Sequence, residues 1–316
     1  MPIFNRAHLL RETIGHVLAQ TYTDFEFLIF NDGSTDNSLE IARSIADPRL
    51  TVIDSENRGP PHPLNELYAR ARGEYVIILH DHDVFDPMLL EKSVAALDAF
   101  PSAGFVLQGS ATVSEDGRSN YREYLQDWPT LNPGFDRGAA VLLNADGFSS
   151  PYHACSMVRR TALVAVGPGY EPGFGLYSDA DLWLRLLRRF DFVYLKDVLF
   201  RFRERERSGH FMSHREFDIL DTMRDIYLKN GATYFERDKS SMDLFLHRLT
   251  RNYCRAERHF ALRAAVKQSK NQALGLRRVS SNPQQPHLAR LVAGAALPLA
   301  TMLEPWRTGS AGGPPG

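Results

Sequence analysis

Two periodicities alternate along roughly the first 110 residues of the chain. From Leu9 to Gln20, the apolar side chains Leu10, Ile14, Val17 and Leu18 recur at helical spacing. Phe25 to Phe30 then reads FEFLIF, a nearly unbroken apolar run of the kind a strand shows when both its faces are covered. Asn31-Asp32-Gly33-Ser34-Thr35-Asp36 breaks that run, and Thr35 or Asp36 is placed to cap a helix beginning near Ser38. The pattern predicts further strands at Leu50–Ile53, Tyr75–Leu79 and Gly104–Gln108. Between them it predicts helices at Pro63–Arg72 and Pro87–Phe100.

Strand alternating with helix argues for an α/β domain with a mostly parallel sheet and helices on both faces. In such sheets ligands bind beyond the carboxyl ends of the strands. Two polar clusters fall there, Asn31-Asp32-Gly33-Ser34 and His80-Asp81-His82-Asp83. From Arg118 to Pro151 the pattern weakens into loops marked by Pro129, Pro133, Gly134, Gly138 and Gly147. Helical spacing returns at Asp181–Leu187, a strand follows at Phe192–Leu195, and Phe211 to Lys270 reads as a helical extension.

Composition narrows the classes. The 316 residues are 43% hydrophobic and 24% charged, enough apolar mass for a core. A net charge of −1 removes nucleic-acid binding by bulk charge. Cys155 and Cys254 have no partners at metal-ligand spacing, so neither a disulfide scaffold nor a zinc module is indicated. No stretch reaches the ~20 apolar residues needed to cross a bilayer. Leu288–Leu303 comes nearest but contains Arg290 and Pro298, and reads as a helix packed on the body or lying at a membrane interface. The tail Thr308–Gly316 has the composition of a disordered segment.

Four clusters could carry chemistry. In His80-Asp81-His82-Asp83, alternating carboxylates at a strand end make a negative site that Mg²⁺ or Mn²⁺ would neutralise, with Mn²⁺ tolerating imidazole. The competing reading is a polar turn that caps the helix near Pro87. Asp32 is placed to reach a ligand, its carboxylate suited to a nucleobase N–H, although turn and cap needs explain its neighbours. Asp179 and Asp181 stand before a helix, where they either favour the macrodipole or supply a general base. Arg201, Arg203, Arg205 and Arg207 share one face of an extended segment, a row suited to a diphosphate or to salt bridges with Glu204 and Glu206. No Gly-x-Gly-x-x-Gly fingerprint, P-loop, His-Glu-x-x-His pair or nucleophile elbow occurs.

In this order the clusters resemble family 2 glycosyltransferases of the GT-A fold. The residues that carry the likeness are Pro2-Ile3-Phe4-Asn5-Arg6, Leu18–Tyr22, Asn31–Asp36, Asn57-Arg58-Gly59, Ala71–Tyr75, His80–Asp83 with Pro87, and Asp179–Arg185. The resemblance implies an inverting, metal-assisted transfer of a sugar from a nucleotide-diphospho-sugar to a hydroxyl. It makes Asp179 the catalytic base and Pro2, Asn5, Asp32, Asp81 and Arg205 donor-binding residues. It puts Asp81, His82 and Asp83 around Mn²⁺ or Mg²⁺. A glycan or lipid-linked acceptor of the cell envelope follows, with action in the cytoplasm or at the inner membrane face and a peripheral membrane contact through Leu288–Leu303. The implied organisation is a catalytic domain over 1–210, a helical extension over 211–270, and a terminal helix with tail over 271–316.

The sequence also departs from the family. Aligned on Pro87, the usual Asp-x-Asp falls on His80 and His82. Ser178 replaces a Glu, Arg205 stands where a His is common, and Leu64 stands in place of an Arg. Family members carry a buried strand ahead of Pro-x-x-Asn-Arg, for which Met1 leaves no room, so either the natural product begins upstream or this chain is destabilised. A nucleotide-sugar-binding protein without turnover is the alternative reading. A nucleotidyltransferase is a further rival, without its usual Gly-rich phosphate loop.

Overall fold

The first apolar residues enter a short strand, β1 (Pro2–Ile3), and the helical repeat behind them forms α1 (Ala7–Leu18). Next come β2 (Phe27–Asp32), α2 (Ser38–Arg43), β3 (Leu50–Ser55) and α3 (His62–Arg70). The computed structural model describes residues 1–114, 116, 120–124, 155–167, 169–203, 216–266, 272–285, 289–290 and 293. Strands β1, β2 and β3 form a parallel sheet with β2 in the middle. Alternation along β2 sends Phe27 and Ile29 toward Leu10, Ile14 and Val17 of α1, and Phe30 toward Leu67 of α3. Both faces are covered, as the FEFLIF run requires.

A second sheet continues the unit through β4 (Tyr75–Ile77), β5 (Val84–Phe85), α4 (Leu89–Ala99), β6 (Ala103–Val113) and β7 (Asn120–Tyr124). It is completed by β8 (Met157–Arg159), α5 (Arg160–Ala165), α6 (Ser178–Leu187) and β9 (Asp191–Arg203). The order is β4-β8-β6-β9-β5, with β7 also on β6. Only β6 and β9 run parallel here, and the other pairs are antiparallel. The α/β class with a helix-flanked parallel sheet therefore holds, while this second sheet is mixed. The physical reason is that β8, far along the chain, inserts between β4 and β6. One apolar cluster joins the two sheets, from Met1, Ile3 and Ile29 to Leu79, Phe85, Leu199 and Phe200.

From Glu216 on, the described residues form a second compact unit of helices, α7 (Glu216–Tyr234), α8 (Lys239–Val266) and α9 (Gln272–Ser281). Here α7 meets α8 at Gly231, where an added Cβ would lie 2.2 Å from the Phe245 ring. A partly buried polar knot ties all three helices: Asp221 accepts two hydrogen bonds from Arg278, at 2.9 and 2.7 Å, and one from the Tyr253 hydroxyl at 2.6 Å. Cys155 and Cys254 are buried and unbridged. Among the described residues no helix is long and apolar enough to cross a membrane. The loop expected at 118–151 contains β7, and its remaining residues, most of Leu288–Leu303 and the tail lie outside the described residues.

The two edges of β2 are paired unequally. One edge of β2 pairs with β3 along all six of its residues, but on the other edge only Phe30 and Asn31 meet β1. Beside that edge lies a cavity of about 720 Å³, lined by Met1, Phe27 and Leu28 on one side and Tyr75, Val76 and Ile77 on the other. The Met1 ammonium donates to Leu28 O at 2.8 Å inside the fold. Burial brings its pKa down to about 5 against the opposing pull of the Asp81 carboxylate.

In the chain that starts at Met1, the unfolded amine therefore holds a proton up to about pH 8 and the folded one only below about pH 5. Unfolding takes up a proton in that window, so stability rises from pH 5 to pH 8, by at most about 4 kcal/mol from this group. Nα-acetylation should remove this share of the pH response in denaturant titrations. An identical response in free and acetylated protein would count against the buried amine.

Candidate functional site

The site is built from loops that leave the carboxyl ends of β1, β2, β3 and β4. Asn5 adopts φ +52°, a left-handed conformation, and its side chain makes this turn useful. Its Oδ1 accepts the Thr35 amide at 2.8 Å, while its own amide donates to Ser34 Oγ at 3.1 Å. The next two amides of the turn, Arg6 and Ala7, donate to Ser38 Oγ at 2.8 Å and Asp36 Oδ2 at 3.0 Å. Polar side chains of one loop thus satisfy the irregular backbone of the other. Asp32 does the same for the loop after β3: its two oxygens accept the amides of Arg58 and Gly59, each at 2.9 Å. Gly33 makes that approach feasible, because it has φ +70° and a Cβ there would lie 2.5 Å from the Asn57 amide nitrogen.

The His80–Asp83 loop follows β4 and sits against these loops. Asp81 accepts the Phe4 amide at 3.3 Å, lies 3.5 Å from Arg6 Nε, and accepts Nδ1–H of His82 at 2.8 Å. Since a carboxylate only accepts, this contact puts the His82 proton on Nδ1 and its basic lone pair on Nε2. Asp83 is fully buried with an imidazole beside each oxygen: Nδ1 of His80 lies 3.3 Å from Oδ2, and Nε2 of His82 lies 3.7 Å from Oδ1. The two rings stack nearly parallel, 5.6 Å apart. Burial alone would raise the Asp83 pKa, but the close approach and charge of His80, with His82 and the Arg203 amide, hold it below the usual carboxylate range. Burial likewise works to lower the His80 pKa, and the carboxylates of Asp83, Asp81 and Asp179 outweigh it, so that pKa is raised.

His80, His82 and Asp83 can each offer a ligand atom within 4.8 Å of the others. The buried Asp83 Oδ2 accepts no well-directed hydrogen bond, as expected of a donor set held for a cation. These residues fit a divalent metal. The loop is held from behind by Arg203 at the end of β9. That side chain, 1% exposed, donates through Nε to His82 O at 2.8 Å and through Nη2 to Glu12 of α1 at 3.0 Å.

Asp179 and Asp181 part ways on the first turn of α6. Asp181 is buried and pairs with Arg185 one turn on, at 2.8 Å, while Arg185 also holds the carbonyl of Val166. Asp179 is only half-buried, and its charge acts on His80, Tyr68 and Tyr170. Tyr68 and Tyr170 stack at 5.4 Å with rings 4° from parallel. Burial first, then the charge of Asp179, pushes the Tyr68 hydroxyl to about 12 against its hydrogen bond with Tyr170. Asn65 of α3 clamps the backbone of Tyr170 from both sides, at 2.7 and 2.8 Å.

Of the residues singled out in the sequence, Asn5, Asp32, Asp81, His82 and Asp83 lie in this set of interlocked loops, with Pro2 in β1 just ahead. Arg205 lies outside the described residues. His80 joins the metal-fitting group that Asp81 was expected to complete, and Asp81 instead orients His82. The alignment on Pro87 carried that signal for His80. Arg203, Asn65, Tyr68 and Tyr170 were not foreseen in these contacts, because nothing local to their sequence reveals a partner dozens of residues away.

The sequence profile of the family described as "Glycosyl transferase family 2" matches residues 1–167, more than half of the chain. The chain belongs to that family. A relative called an uncharacterised glycosyltransferase in Rickettsia felis is 26% identical over 227 residues, covering 68% of this chain and 36% of its own length. Glycosyltransferase GlyG of Streptococcus pneumoniae is 36% identical over 94 residues, 29% of this chain and 31% of that protein. The matched region is thus under two thirds of either relative's length. Among solved structures, S. aureus TarS 1–349 in complex with UDP-GlcNAc has a TM-score of 0.64 at 17% identity, covering 98% of this chain and 90% of that one. The mannosyltransferase PcManGT of Pyrobaculum calidifontis, in complex with GDP-Man and Mn²⁺, has a TM-score of 0.53 at 19% identity, covering 97% and 86%. The fold is that of the GT-A glycosyltransferases.

Replacing Arg203 with Leu would leave the His82 carbonyl without its buried donor and the Glu12 carboxylate without its guanidinium partner. We expect a loss of about 2–3 kcal/mol in urea unfolding. A variant as stable as the parent would show that the latch does not hold the loop.

Proposed function

We propose that the chain transfers a sugar from a nucleotide-diphospho-sugar to an acceptor hydroxyl, with inversion at the anomeric carbon. The observation that carries this reading is the gathering of ligand atoms from His80, His82 and Asp83 within 4.8 Å of one another in the loop after β4, beside the loop anchored by Asp32. Asp179 would take the proton of the acceptor hydroxyl as that oxygen bonds to the anomeric carbon. The bond to the diphosphate breaks on the opposite face, and the nucleoside diphosphate leaves. His80, His82 and Asp83 would hold a divalent cation, which supplies positive charge to the departing diphosphate when bound. Asp32 uses one lone pair of each oxygen on the loop after β3, and each oxygen has a second for a nucleobase N–H.

Relatives called glycosyltransferases, and a fold shared with proteins solved with UDP-GlcNAc and with GDP-Man and Mn²⁺, support this reading. Pro2, Asn5, Asp81 and Arg205 complete the proposed donor site. The acceptor we propose is a glycan or lipid-linked precursor of the cell envelope, met in the cytoplasm or at the inner membrane face. The alternative is a nucleotide-sugar-binding protein without turnover, suggested by histidines where the family's Asp-x-Asp falls.

Asp179→Asn separates the two. It should lower donor turnover by about 10²–10⁴-fold while nucleotide binding persists. Full turnover in Asp179→Asn would remove Asp179 as base, and nucleotide binding with no turnover in the parent protein would favour the alternative.

A further inference from the structure

The cation site proposed above has an unusual donor balance, and the inference drawn from it rests on that reading. Of the four residues in the loop, the two histidines and Asp83 gather their ligand atoms within 4.8 Å. The remaining carboxylate, Asp81, is committed to the Phe4 amide, to Arg6 and to Nδ1 of His82. The ligand atoms gathered there are two imidazole nitrogens and one carboxylate oxygen rather than those of a pair of carboxylates. Mg²⁺ demands oxygen donors in near-ideal octahedral geometry and gives up water reluctantly. Imidazole suits Mn²⁺ less than it suits Co²⁺ or Zn²⁺, but all three accept it.

We propose that His80 and His82 make this site discriminate against Mg²⁺, so that it takes a nitrogen-accepting divalent cation, Mn²⁺, Co²⁺ or Zn²⁺, together with the nucleotide diphosphate. Three further features of the loop serve that selection. Asp81 fixes the His82 tautomer with its basic lone pair on Nε2, the nitrogen that faces Asp83. Asp83 supplies anionic charge from full burial, with Oδ2 left without a well-directed hydrogen bond. Arg203 fixes the His82 backbone, so the imidazoles are held by the protein before any ion arrives. The departure at His80 and His82 thus changes which ion the site prefers, and the site itself persists.

Thermal unfolding of the full chain with each chloride salt, alone and with UDP or GDP, tests this. Mn²⁺ and Co²⁺ should bind at least about tenfold more tightly than Mg²⁺. Bound Mn²⁺ should show ¹⁴N hyperfine coupling in pulsed EPR, and Co²⁺ should show visible d–d bands. The His80→Asp/His82→Asp variant should lose the nitrogen coupling and gain a Mg²⁺ response. Equal stabilisation by Mg²⁺ and Mn²⁺, or bound Mn²⁺ without nitrogen coupling, would overturn the selectivity. Stabilisation by a nucleotide with no cation effect would overturn it too while leaving the donor-binding reading intact. No response to nucleotide or cation, on folded protein, would overturn both.

Discussion

A strand covered on both faces cannot leave its amides to water, so its neighbours on either edge are obligatory. That constraint falls on β2. Its side chains pack alternately on α1 and α3, and β3 pairs with it along its whole length. On the other edge the pairing is two residues long, followed by a buried amine and a cavity. The carboxyl end of β2 is therefore its best-anchored part, since there alone both neighbours are present. Asp32 sits at that end, and the loops of the candidate site radiate from it.

Those loops hold one another by side chain to backbone hydrogen bonds rather than by apolar packing. Asn5, Ser34, Asp36 and Ser38 serve the first pair of loops, Asp32 serves the loop after β3, and Asp81 serves the turn after β1. Each satisfied amide is one that no strand can pair. The economy has a consequence for reading motifs. A polar residue at a strand end is available to a ligand only with the lone pairs the loop does not use, so Asp32 and Asp81 are scaffold before they are site.

This explains what the sequence could and could not convey. Long periodic segments were legible: α1, α4 and β2 fall where the spacing places them, and α7 and α8 fall within the helical extension expected over Phe211–Lys270, whereas α9 was not foreseen. The mixed sheet was not, because β5 and β8 are two and three residues long and carry no period of their own. The ordered clusters fall in the loops that the fold brings together, and the Pro87 alignment pointed at His80. Which carboxylates were taken by the scaffold stayed hidden. Asp181 is claimed by Arg185 at i+4, a spacing visible in the sequence, whereas Asp81 is claimed by Phe4 and Arg6 more than seventy residues away. The row of arginines shows the same limit: Arg203 is buried in a latch and faces no solvent.

The buried carboxylate of Asp83 imposes the last constraint. An isolated charge in that position would be neutralised or expelled, since its desolvation has no compensation. Here the compensation is the His80 ring beside Oδ2 and the Arg203 amide, which donates to Oδ1 at 3.2 Å, and the carboxylates around His80 in turn favour its protonated form. A proton on His80 and a cation between the rings are alternative ways to meet the same demand. With two aspartates as ligands the loop would carry two negative charges beside a donor that is itself an anionic diphosphate. With imidazoles in those two places the loop carries fewer carboxylates, and the repulsion a diphosphate meets on entering is smaller before the cation is counted. Replacing carboxylate by imidazole thus shifts the balance of the site in two ways at once, toward ions that accept nitrogen and toward easier approach of the anion they would share.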